Sequence, residues 1–163
     1  MQNEITNETE LLDNNGKLKQ IGWAREKNLD CNLENAHFYA LKALQTFRIK
    51  RWDYYAVFTP ERFFSATVAD LGYAGNVFVY TLNFLSNQLH EEGLVTPFGA
   101  GITLPRNSKQ GTTEFKNDKA TLRFDVIDNV RTVHVDWPDF HDGKGIKDRK
   151  STRLNSSHGK LHR

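Results

Sequence analysis

Three stretches of the chain carry residue types that could do chemistry. The first is RIKRWDYYAVF, where Asp53 stands between Trp52 and Tyr54 and shares a strand face with Tyr55. A carboxyl group held among aromatic rings loses solvation, which favours its neutral form and suits it to proton transfer. The neighbouring cations Arg48, Lys50 and Arg51 offer a second reading, a buried Asp–Arg pair that fixes barrel geometry. The structural reading is favoured, because ion-pair networks perturb carboxylates as often as active sites do. The second stretch is HVDWPDFHD. His134 and Asp136 fall on one face of a strand, as two metal ligands or an acid–base pair would. Pro138 ends that strand and nothing fixes His141 beside them, so a polar face running into a turn is expected, with no metal and no cofactor. The third is FGAGITLP, which lacks the glycine spacing and the lysine of a phosphate loop and reads as turn and bulge glycines.

Asp53, His134 and Asp136 are therefore weak catalytic candidates. No Ser/His/Asp order, HExxH motif or paired-carboxylate spacing accompanies them. Cys31, the single cysteine, has no activating base nearby and reads as an unreactive thiol.

The elements that must position these residues are mostly strands. RWDYYAVFT, RFFSATVADL and NVFVYTLNFL alternate with period two and are punctuated by PE and GYAG. In the third, Phe78, Tyr80, Leu82 and Phe84 share the greasier face, and Val77, Val79, Thr81 and Asn83 the other. TTEFKNDKATLRFDVIDNVRTVHVDWP holds three runs joined at Asn117-Asp118 and Asp128-Asn129, both tight-turn pairs, and predicts a β-meander. Between these blocks, residues 86–111 read as a polar, Gly/Pro-punctuated connection with one short strand. Upstream, Phe38, Leu41, Leu44 and Gln45 fall at helical spacing and predict a helix from about residue 34 to 46. The expected fold is mainly β: an antiparallel meander forming a partial lipocalin-like barrel or sandwich, with one short helix. Residues 1–33 are expected as an extended entry segment and 34–147 as the β domain.

Composition supports this. The chain has 163 residues, with eleven Phe, five Tyr and three Trp, a load that suits pleated faces. No apolar run approaches the length of a membrane-spanning helix, and MQNEITNETELLDNNGKL lacks the marks of a signal peptide, so a cytoplasmic protein is expected. The net charge of +2 owes its sign to the last sixteen residues, where Arg149, Lys150, Arg153, Lys160 and Arg163 face Asp148 alone. The rest of the chain is net acidic, and nucleic acid is not an expected partner.

DRKSTRLNSSH, residues 148–158, has no hydrophobic period. It back-translates in frame as the constant part of a sequencing-library adapter. Residues 148–163 are accordingly expected to be a non-native, disordered tail on a truncated protein.

Taken in order, GWAR, FRIKRWDYYAVFT, DLGYAG, PFGAG, LPRNSKQG and WPDFHDGKGI resemble the family catalogued as domain of unknown function 2804. The resemblance runs from about Leu11 to Ile146, with Arg51 where that family's pattern carries an acidic residue. It implies a chain about twice this length, with a missing C-terminal half, and an architecture similar to the paired lipocalin-like barrels of carotenoid hydratase-like proteins. It brings no reaction and no catalytic residue.

Three functions follow as expectations. The first is binding of a small hydrophobic molecule or lipid inside a calycin-like β-barrel lined by Trp52, Tyr54, Phe78, Tyr80 and Phe84. The second is a hydratase or isomerase acting on an apolar polyene or lipid, with Asp53, or Asp136 with His134, moving the proton. The third is a structural domain whose aromatics fill the core. The first is preferred.

Overall fold

The computed structural model describes residues 3–153. Eleven strands fall into three sheets. β1 (Thr9–Glu10) and β2 (Leu29–Asp30) form a small parallel pair. β3 (Arg51–Phe58), β4 (Arg62–Asp70), β5 (Ala74–Asn83) and β6 (Gln88–Pro97) follow one another in a four-stranded antiparallel meander, here called the front sheet. β7 (Ile102–Thr103), β8 (Gly111–Lys116), β9 (Thr121–Ile127), β10 (Val130–Trp137) and β11 (Ile146–Arg153) form the five-stranded back sheet. A short helical turn, α1 (Phe140–Gly143), links the last two strands.

The expected tight turns do their work. Asp128 and Asn129 both adopt positive φ, at 48° and 62°, the geometry that matches hairpin twist. At Asn117 the side-chain oxygen accepts hydrogen bonds from the Lys119 and Ala120 amides, an Asx turn that reverses β8 into β9.

The two large sheets pack inner face to inner face. Ala66 and Val68 of β4 and Val77 and Val79 of β5 meet Phe115, Leu122, Phe124, Val133 and Val135 of the back sheet in one buried cluster, capped by Trp137 and Phe140. The Tyr55 ring meets Phe124 edge-on across the gap, at 5.1 Å between centroids. This is a sandwich-like arrangement, and no sheet closes on itself into a barrel among the described residues.

Three local expectations change. The helix over 34–46 is replaced by two 3-10 segments, Leu33–Asn35 and Lys42–Phe47, with Leu41 extended between them. Its apolar positions Phe38, Leu41 and Leu44 are all exposed, so no surface is there to pay for an amphipathic helix. Residues 86–111 contain a ten-residue strand, β6, besides the short β7. Finally, residues 148–153, expected to be disordered, continue β11 in antiparallel register with β10, from Val135↔Asp148 to Val130↔Arg153. Residues 154–163 lie outside the described residues.

Candidate functional site

The pleat of the front sheet sends alternate side chains outward, away from the sandwich core. The register places Trp52 beside Ala69, Tyr54 beside Thr67 and Phe78, and Ser65 beside Tyr80. Phe58, Phe63, Leu82 and Leu89 complete the same face at one end, and Val95 borders it at the other. This is the greasier side of β5, and it faces outward while Val77 and Val79 enter the core. Trp52 is 65% exposed, Phe58 71% and Val95 73%. The small residues Ser65, Thr67 and Ala69 lie buried beneath the aromatic rings, and Thr67 Oγ1 has no hydrogen-bond partner there. Tyr54 meets the Tyr80 hydroxyl, and that hydrogen bond pushes the Tyr54 phenol above its ordinary value.

At the Phe58 end the face runs into a cavity of about 880 Å³. Phe63, Leu82 and Leu89 of the outer face line it together with Val57, Phe64 and Ile146. Its polar lining includes Arg62, His90, His141, Lys144 and Lys147, with no acidic side chain among the lining residues. His90 comes from β6 and His141 from α1, where positive φ at His141 and Asp142 bends the chain toward the front sheet. The two imidazoles stack at 4.0 Å between centroids. Behind them the Glu92 carboxylate lies 2.9 Å from His90 Nε2 and accepts a hydrogen bond from the His141 amide. The Phe140 ring meets His90 edge-on and anchors the turn in the core. Lys144 Nζ lies 3.4 Å from His141 Nε2.

The sequence candidates are not brought together. Asp53 faces inward from β3 and accepts a hydrogen bond from the Thr113 hydroxyl of β8, tying the two sheets. Tyr55, Arg131 and Lys27 surround this link. Burial pushes the Tyr55 phenol up, with the Arg131 guanidinium opposing it. Burial also pushes the Lys27 ammonium down, helped by Arg131 and opposed by Asp53. His134 and Asp136 lie on the outer face of the back sheet, where Asp136 pairs with Lys147 at 2.9 Å. His141 is turned away from them toward His90. Among the described residues no three His, Cys, Asp or Glu side chains converge as a metal site requires. Of the aromatic candidates, Trp52, Tyr54, Phe78 and Tyr80 do share one face, and Phe84 follows it just beyond β5, exposed.

The end cavity had no signature in the sequence. Arg62, His90 and His141 come from three distant segments, and only the sheet register and the α1 bend unite them. The single local hint was the His141-Asp142 pair beside glycine, a composition that tolerates positive φ.

Fold and site together define a mainly β protein whose two large sheets pack face to face, with one aromatic outer face that reaches an amphipathic end cavity. The chain belongs to the family described as domain of unknown function (DUF2804), which matches residues 2–160. No curated protein and no solved structure matches it. Among the described residues, no helix is long and apolar enough to cross a membrane.

Proposed function

We propose that the protein binds a small hydrophobic molecule or lipid on the outer face of its front sheet. The observation that supports this reading is the exposed run of Trp52, Tyr54 and Phe58 over a floor of small side chains, continuous with the end cavity through Phe63, Leu82 and Leu89. Exposed contiguous apolar surface of this kind marks an interaction site in a folded protein. Aromatic walls with few polar groups suit an apolar ligand.

A fluorescent polyene fatty acid, titrated into the full chain, tests this. Binding should saturate, and Trp52→Ala and Tyr54→Ala should each weaken it by about tenfold or more, as expected when a large apolar contact is lost. Absence of saturable binding, or binding indifferent to both substitutions, would overturn the proposal.

We also propose that the genuine chain departs from this sequence after Lys147 and continues into a second β-rich half. The adapter-like reading of residues 148–158 supports this. Sequencing the genomic locus across the Lys147 codon decides it: a continuing frame agrees, and an encoded DRKSTRLNSSHGKLHR followed by a stop codon refutes it. The cavity residues named above all precede Asp148.

A further inference from the structure

We infer that the end cavity holds the carboxylate head of a free long-chain acid, with the acyl chain passing along Phe63, Leu82 and Leu89 toward the aromatic face. The inference rests on the apolar-ligand reading above and adds the chemical class of the ligand. Three observations carry it.

The first is size. A cavity of about 880 Å³ lies within the range typical of small-molecule sites. The second is the separation of its lining into two kinds. Val57 and Phe64 from the inner face of the front sheet, Phe63, Leu82 and Leu89 from its outer face, and Ile146 give an apolar lining around the sheet end suited to an acyl chain, while Arg62, Lys144 and Lys147 give a cationic rim. A polar anion alone would leave the wall unused, and a neutral lipid would leave the rim unused.

The third is what the rim cations already touch. Lys147 is engaged by Asp136, and the nearby carboxylate of Glu92 is occupied by His90 and the His141 amide. The guanidinium of Arg62 makes no ion pair among the described residues, and Lys144 approaches only an imidazole nitrogen. The nearest acids on neighbouring turns, Glu61 and Asp142, are exposed and do not line the cavity. Arg62 opens β4, where Thr59 fixes the hairpin: its hydroxyl accepts from the Arg62 amide at 3.0 Å. This fixes the backbone from which Arg62 lines the cavity, while its exposed guanidinium keeps its planar fork uncommitted, the group best suited to grip a carboxylate through two parallel hydrogen bonds.

The test compares palmitic acid, its methyl ester and inorganic phosphate, each competing with the fluorescent polyene acid on the full chain. The unmodified chain should bind palmitic acid about tenfold more tightly than the ester, and phosphate should not compete. Arg62→Gln should bring the acid down to the affinity of the ester and leave the ester unchanged. Lys144→Gln should do the same to a smaller degree, and both variants should keep the unmodified thermal transition. Equal binding of acid and ester by the unmodified chain, or an acid affinity unmoved by Arg62→Gln, overturns the head-group assignment while leaving the apolar-ligand reading standing. Failure of acid and ester alike overturns both. Competition by phosphate at the affinity of the acid also overturns the inference, because it shows an anion site indifferent to the chain.

Discussion

The front and back sheets share one core but present opposite outer faces. On the back sheet, outward positions carry Thr112, Glu114, Arg123, Asp125 and Asp136. Arg123 spans Asp125 at 2.9 Å and Glu114 at 3.6 Å, and Thr112 donates to Asp125 at 2.6 Å. That is the pattern of an antiparallel sheet with one side in water, held by cross-strand pairs. On the front sheet the equivalent positions carry Trp52, Tyr54, Phe58, Phe78 and Tyr80, with no charge until Glu91 on β6. A sequence that builds one solvated face in the accepted way has no folding reason to leave the other aromatic. The difference is what supports the proposal that a ligand binds on the front sheet.

The largest effect that sharpens this comparison belongs to neither outer face. Phe124→Ala removes a fully buried ring at the seam of the two sheets and should cost about 3–5 kcal/mol in urea unfolding. Trp52→Ala, by contrast, should change stability by less than about 1 kcal/mol, because that ring is mostly in water. A comparable loss for the two would mean that the aromatic face is a core surface and break the distinction.

Next comes the link between the sheets. Asp53→Asn keeps the shape of the side chain but replaces the carboxylate that accepts from Thr113 and faces Lys27. It should cost about 1–2 kcal/mol, with the loss repeated rather than added in the Asp53→Asn, Thr113→Val double variant. Strict additivity would remove Asp53 from the inter-sheet network.

The smallest effects are on the polar face and in alkali. Arg123→Gln should shift stability by no more than about 1 kcal/mol and leave polyene-acid binding unchanged, since exposed ion pairs contribute little. For Tyr55, burial raises the phenol above its ordinary value. Its contribution to stability is therefore complete below the unfolded phenol range, about pH 10, and is lost as pH rises through the higher folded value. Absorbance titration should show late-ionising phenols, one of which Tyr55→Phe removes; an unchanged titration would show that burial does not govern this group.

Much of the fold was legible because strand period and turn chemistry are local. Leu122, Phe124 and Val126 alternate with polar residues, and Asp128-Asn129 supplies the reversal between β9 and β10. The helix over 34–46 failed for the converse reason: helical spacing of Phe38, Leu41 and Leu44 is also local, but a helix forms only where that stripe finds something to bury against. Gln45 is buried there instead, accepting from the Phe38 amide. The β6 strand was missed because His90, Glu92 and Gly93 weaken its alternation, and pairing with β5 overrides that weak signal.

For the site, the aromatic face could be read from RWDYYAVF and NVFVYTLNFL, although period two cannot say which side faces the core. The packing of Val77 and Val79 against the back sheet decides it. The end cavity was not legible at all, since Arg62, His90 and His141 meet only through tertiary structure.

The most direct test of the central claim uses the three tryptophans as reporters of where a ligand sits. A palmitic acid brominated along its chain should quench the emission of the full chain, and Trp52→Phe should abolish most of that quenching. Trp137, at 3% exposure in the core, should not respond. Quenching that survives Trp52→Phe unchanged would place the acyl chain away from the front sheet and contradict the account.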